Sequence, residues 1–149
     1  MGDGKAWLLA AGTISLAAAL LHLACIVGGP NWYRALGAGE GIASAAERGA
    51  WFPAVMTFGI AGIICVWAIY AFSAAGALPP LPFRRTVLVM IVVALSARGL
   101  AVLAPDLWRA DLSYAFKLWS SVTVLILAAC FAVGTFLAWP ALSIKDPVL

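Results

Sequence analysis

Residues 86–104, TVLVMIVVALSARGLAVLA, form an apolar run that contains a single charged side chain, Arg98. As a helix, a run of this length can cross the hydrocarbon of a bilayer, which takes about 20 residues. Arg98 stands past the midpoint, and a charge at the centre of a bilayer costs roughly 2.5 kcal/mol or more even on the mildest scale. The run therefore predicts a membrane-spanning helix, and it raises the question of what compensates the guanidinium.

Three further runs of the same kind occur along the chain. The four predicted transmembrane helices cover about 6–28, 52–75, 86–104 and 116–138. Glycines and prolines lie between them, with Pro105 and Pro140 expected to follow the third and the fourth. The chain is 65% hydrophobic and 10% charged, whereas soluble proteins are roughly 45–50% apolar and 25% charged. We predict an all-α fold, a four-helix transmembrane bundle that forms one integral membrane domain over residues 1–149.

The tryptophans support this prediction independently of hydropathy. Six of the seven lie near predicted helix ends, namely Trp7, Trp32, Trp51, Trp108, Trp119 and Trp139. An indole ring prefers the membrane interface, where its ring is buried and its N–H is hydrated. The first helix is also too long for the apolar part of a cleaved signal peptide, so we expect it to be retained.

Basic residues decide the expected orientation. They divide evenly between Lys5, Arg84, Arg85 and Lys145 on one side and Arg34, Arg48, Arg109 and Lys117 on the other. The adjacent pair Arg84–Arg85 favours cytoplasmic termini, because positive charge is retained on that side. We read the basic residues as topology determinants and contacts of membrane lipid head groups, and we expect no nucleic-acid partner.

Polar side chains within the runs concentrate in one half of the bilayer. Arg98 and His22, the two titratable groups that could carry a charge there, are both displaced toward the side of the segment 29–51, and so are Thr57 and Ser121. The sequence therefore predicts a polar pocket beneath that segment.

The segment 29–51, GPNWYRALGAGEGIASAAERGAW, is longer than a simple connection and should fold back onto the bundle. Glu40 and Glu47 stand seven residues apart, so a short helix over Glu40–Gly49 would place both carboxylates on one face. We predict that one of them pairs with Arg98, with His22 nearby. In the alternative, Arg98 extends to lipid phosphates or holds an anionic ligand. Trp32, Tyr33 and Arg34 of the same segment complete the candidate binding residues.

The sequence predicts that the protein has no metal site, no cofactor and no catalytic residue. A single histidine excludes haem ligation by two histidines from this chain. The thiol of Cys25 would lie on the order of 15 Å from those of Cys65 and Cys130 by helical rise, which is too far for a shared metal. All three cysteines are therefore expected to be packing residues.

Three segments carry a resemblance to a known group of proteins. The layout of LHLACIVGGPNWYRALGAGE (21–40), AIYAFSAAGALPPLP (68–82) and SARGLAV (96–102) resembles small bacterial integral membrane proteins with four transmembrane helices and a domain of unknown function. The resemblance implies the four-helix architecture and a bacterial inner membrane. It implies no activity and no catalytic residue.

Three functions are compatible with these observations. The first is a non-enzymatic bundle that binds a small amphipathic or anionic ligand, or supports a larger membrane complex, through the pocket under segment 29–51. The second is an intramembrane enzyme with His22 as general base and Arg98 as electrostatic stabiliser. The third is a transporter or channel subunit that needs oligomerisation. Small-residue pairs such as Gly59 and Gly62 suit a compact bundle or a homo-oligomer.

Overall fold

The computed structural model describes residues 2–104 and 112–144, which form six α-helices and no strand. The helices are α1 (Gly2–Gly28), α2 (Pro30–Ala35), α3 (Glu40–Glu47), α4 (Phe52–Ala74), α5 (Arg84–Leu100) and α6 (Tyr114–Ile144). A 3₁₀ turn over Ala101–Leu103 continues α5. The predicted all-α fold is confirmed.

Four of these helices are long and apolar enough to cross a membrane. The spans are Gly4–Gly28, Phe52–Ala74, Arg84–Leu103 and Tyr114–Leu142. Each of the four runs predicted from the sequence thus corresponds to one long apolar helix, with ends that differ by up to four residues. At most 39% of any span is buried inside the protein, and large aliphatic side chains such as Val93 and Ile126 point outward. A surface of this kind is suited to acyl chains rather than to water, as expected of an integral membrane protein.

The two helices α1 and α6 form the centre of the bundle. Helix α1 packs along α4 and α6, α5 packs along α6, and α4 and α5 contact each other only lightly. The core between them is fully closed around Leu8, Leu88 and Phe131, each 0% exposed. Trp67, the one tryptophan that is not near a predicted helix end, packs against this core. The tryptophans at the ends of described helices are exposed, as Trp119 illustrates at 71%.

Glycines allow α1 and α6 to approach closely. A Cβ atom on Gly134 would lie 2.8 Å from Cγ of Leu8 and 3.1 Å from its backbone nitrogen, and one on Gly4 would lie 2.9 Å from the backbone nitrogen of Ala138. The predicted pair Gly59 and Gly62 does not serve this purpose, because a Cβ atom at either position would meet no atom within 4 Å. These two glycines face outward from α4, and their role in a homo-oligomer stays a prediction.

Pro140 does not end the fourth transmembrane helix, contrary to the sequence prediction. Helix α6 continues through Pro140 to Ile144, although proline removes one backbone hydrogen bond and normally kinks a helix. The carbonyl that loses its N–H partner is that of Phe136, four residues before the proline. The carbonyl oxygen of Trp139, directly before it, accepts a hydrogen bond from Nη2 of Arg85 at 2.8 Å.

Four residues used in the sequence predictions lie outside the described residues: Pro105, Trp108, Arg109 and Lys145. Two of them enter the comparison of basic residues on the two sides of the membrane. The orientation with cytoplasmic termini therefore stays a prediction.

Candidate binding site

The segment 29–51 folds over one end of the bundle, and we call it the cap. As predicted, it contains a short helix that begins at Glu40, α3. Tyr33 and Ala43 of the cap are buried together with Cys25 of α1. Gly37 lies directly against the ring of Phe116 on α6. The cap therefore contacts both central helices of the bundle.

Both glutamates of the cap pair with Arg34. Its Nε and Nη2 donate to the two carboxylate oxygens of Glu40 at 3.0 and 2.7 Å, and its Nη1 donates to Oε1 of Glu47 at 2.8 Å. Ser44 also donates to Glu40, at 2.9 Å. The structure therefore brings both glutamates to Arg34, whereas the sequence prediction paired one of them with Arg98. Arg34 belongs to the same solvent-facing segment, so it reaches both carboxylates without drawing either into the hydrocarbon.

The electrostatics of this cluster follow from its hydrogen bonds. The hydrogen bonds that Arg34 donates to Glu40 and Glu47 raise the pKa of Arg34 above its ordinary value. In turn, the hydrogen bond from Arg34 lowers the pKa of Glu47. The side chain of Arg34 is 34% exposed, and those of Glu40 and Glu47 are 59% and 50% exposed. Solvent and salt screen such pairs, so the cluster holds the shape of the cap more than it stabilises the bundle.

Acid should therefore loosen the cap while the bundle stays folded. A carboxylate whose pKa is lower in the folded state stabilises that state above its unfolded pKa, and this contribution is lost as the pH falls through the folded value. For Glu47 the loss begins near the ordinary glutamate pKa, about 4.3, and continues below it. We expect a lower protection against amide hydrogen exchange in residues 40–48 under these conditions, measured by mass spectrometry and corrected for the intrinsic exchange rate at each pH. In Arg34→Gln the exchange should already be fast at neutral pH, whereas Arg48→Gln should resemble the wild type.

Arg98 lies at the contact between α5 and α6. Its Nη2 donates to Oγ of Ser120 at 3.5 Å, a long hydrogen bond. The next residue, Gly99, is buried against Leu125, whose Cγ would lie 2.5 Å from a Cβ atom at that position. Arg98 thus flanks the buried face of α5, with its guanidinium beside the first turns of α6.

His22 lies on the face of α1 that carries the buried residues Ser15 and Ala19. Its Nδ1 is 2.7 Å from the carbonyl oxygen of Ala18. Because a carbonyl only accepts, Nδ1 donates to it, and in the imidazole form of the ring Nε2 is then the acceptor. Within the described residues α1 and α5 make no contact, so direct helix packing does not bring His22 to Arg98 as predicted.

Two buried hydroxyl groups under and within the cap are without a hydrogen-bond partner. Tyr33 is 3% exposed and Ser121 is 1% exposed, and neither hydroxyl forms a hydrogen bond in the structure. Each such group costs about 1–3 kcal/mol unless a partner is supplied. Buried polar atoms of this kind normally bind ordered water or a ligand.

Three polar side chains lie at a common depth beneath the cap. His22 is about 9 Å of helical rise from the end of α1, Thr57 about 8 Å from the start of α4, and Ser121 about 11 Å from the start of α6. Thr57 is buried at 9% exposure. The remaining predicted residue of the cap, Trp32, packs its ring across Gly28 and is 44% exposed.

Sequence reasoning missed the role of Arg34 as the partner of both glutamates. The cap contains two basic residues, Arg34 and Arg48, and sequence spacing alone does not show which of them reaches the carboxylates. Cys25 and Cys130 are free and buried. In the part of the chain that the structure describes, no three His, Cys, Asp or Glu residues lie close enough to hold a metal ion.

No protein-family model, curated protein or solved structure matches this chain.

Proposed function

We propose that this protein is a non-enzymatic bundle of a bacterial inner membrane, with cytoplasmic termini, that binds a small amphipathic or anionic ligand beneath the cap. The observation that carries the proposal is the pair of buried, unsatisfied hydroxyls of Tyr33 and Ser121. A ligand that offers hydrogen-bonding oxygens to these groups would remove the cost of leaving them unpaired. The same pocket could dock a subunit of a larger membrane complex.

Each side chain has a distinct role in this proposal. Tyr33 closes the pocket from the cap, and Thr57 and Ser121 line it from α4 and α6. His22 accepts a hydrogen bond through Nε2. Arg98 attracts a negatively charged group to the rim, because a guanidinium has five N–H donors and can hold an anion together with its protein partners.

Binding accounts for this geometry better than catalysis does. An enzyme that used His22 as general base and Arg98 as electrostatic stabiliser would need both groups at one reacting atom, but their helices α1 and α5 do not pack together. A transporter or channel subunit would need a path, and four closely packed helices enclose little space. Either function would require a second copy of the chain or another subunit.

Tyr33→Phe provides the test. We expect a noncovalently bound mass in native mass spectra of the wild-type protein purified from bacterial membranes in mild detergent, and its loss in the variant. The ligand-free variant should unfold with an unchanged free energy, or with one raised by about 1 kcal/mol, because the change deletes a buried hydroxyl that has no partner.

Tyr70→Phe is the matched control. The hydroxyl of Tyr70 donates to the carbonyl oxygen of Pro82 at 3.3 Å, at the opposite end of the bundle. This variant should keep the bound mass and lose about 1 kcal/mol or less of unfolding free energy. A Tyr33→Phe protein that retained the bound mass would show that the proposed pocket does not hold the ligand.

A further inference from the structure

A groove runs between α5 and α6 at the opposite end of the bundle from the cap. Its volume is about 220 Å³, and its lining is almost entirely apolar. Val89 and Val93 line it from α5, and Ala132, Thr135, Phe136 and Trp139 line it from α6. Val93 and Phe136 are 61% and 78% exposed. The groove is therefore open sideways to the acyl chains of the bilayer.

The outer end of the groove is positively charged and held in a fixed geometry. The guanidinium of Arg85 lies 4.3 Å from the centre of the Trp139 ring and donates to the carbonyl oxygen of the same residue. Its Nε is buried and forms no hydrogen bond. Arg84 precedes it at the first turn of α5, where the helix dipole also favours negative charge. Arg84 itself is 5% exposed and lies on the buried face of α5, so one guanidinium group, that of Arg85, stands beside the entrance to the apolar groove.

Thr135 adds a polar group at a defined depth in the groove. It is 5% exposed, and its hydroxyl forms no hydrogen bond in the structure. It precedes Trp139 by one helical turn, so it lies about 6 Å deeper in the membrane than the arginine. A buried donor at this position needs an acceptor that is itself embedded among aliphatic groups.

We infer that this groove binds one anionic glycerophospholipid. Its phosphate contacts Arg85, an ester carbonyl oxygen accepts the hydrogen bond of Thr135, and an acyl chain packs on Val93 and Phe136. A free phosphate would leave the apolar lining and Thr135 unused. A second copy of the chain would need to bring a carboxylate to Arg85. This site lies in the other leaflet from the pocket under the cap and does not depend on the proposed function.

Lipid titration followed by native mass spectrometry tests the apolar part of the site. We expect dioleoyl-phosphatidylglycerol to bind about fivefold more tightly than dioleoyl-phosphatidylcholine, because the guanidinium of Arg85 attracts the anionic lipid. Val93→Phe should fill the groove and weaken phosphatidylglycerol binding severalfold. Val55→Phe should not, since Val55 is also lipid-facing, at 56% exposure, but lies on α4 away from the groove. Equal binding of the two lipids would overturn the inference.

Charge variants test the head-group contact. Arg85→Gln should remove most of the preference for phosphatidylglycerol, Arg85→Lys should keep much of it, and Arg48→Gln, at the other end of the bundle, should leave it unchanged. Glycerol phosphate should not compete with the lipid, which separates lipid binding from binding of a free anion. If Val93→Phe instead changed the oligomeric state and left lipid binding intact, the groove would be a protein interface and the inference would be wrong.

Discussion

Gly134→Val is expected to separate α1 from α6 and to destabilise the bundle severely. The first added atom would lie 2.8 Å from Cγ of Leu8 and 3.1 Å from its backbone nitrogen, so the side chain and the helix behind it would both have to shift. Overpacking of a closed core costs about 1–3 kcal/mol, occasionally more. Valine branches at Cβ and should reach the upper part of that range. The measurement is the unfolding free energy in mixed micelles.

Gly59→Val is the matched control in the same type of apolar helix. A Cβ atom at Gly59 meets nothing within 4 Å, and valine is slightly better than glycine in a helix, by a few tenths of a kcal/mol. The control should therefore be neutral or weakly stabilising. If both variants lost the same unfolding free energy, the close approach of α1 and α6 at Gly134 would not be a determinant of the fold.

Gly37→Ala is expected to detach the cap from α6. Gly37 has a φ of 76°, a left-handed conformation that costs residues with a Cβ atom about 1–2 kcal/mol. The added methyl group would also collide with the ring of Phe116. We expect much faster hydrogen exchange and proteolysis across residues 29–51, with the transmembrane helices unchanged, and loss of any ligand held beneath the cap.

Two further variants separate the causes of that effect. Gly49 has a φ of 74° but no atom within 4 Å of a Cβ, so Gly49→Ala should show the conformational cost without the collision. The double variant Gly37→Ala with Phe116→Ala should recover part of the protection, because the colliding ring is removed. Equal exchange rates in Gly37→Ala and Gly49→Ala would show that contact with Phe116 does not hold the cap.

The four transmembrane helices could be predicted because length and apolarity alone decide whether a segment spans a bilayer. The face that each helix turns toward the core of the bundle could not be predicted. In water, an apolar stripe reveals the buried face, but in lipid both the core and the outer surface are apolar. Gly59 and Gly134 therefore look alike in the sequence, although one faces outward and the other contacts Leu8.

The short helix of the candidate site could be predicted from the sequence, but the partners of its charged side chains could not. The spacing of Glu40 and Glu47 correctly predicted a short helix with both carboxylates on one face. It could not show that the chain turns between α2 and α3 so that Arg34 meets both of them. Arg98 was expected to need a carboxylate from the cap. The structure places it instead at the contact between α5 and α6, within reach of Ser120.

The pattern of helix contacts has a consequence for how the protein is assembled. Helices α1 and α4 form one antiparallel hairpin and α5 and α6 form another, and the two hairpins meet chiefly through α1 and α6. Each hairpin can form as soon as its second helix has entered the bilayer. Closure between the hairpins must wait until α6 has been synthesised, so the glycines that let α6 approach α1 act only after α1, α4 and α5 are in place.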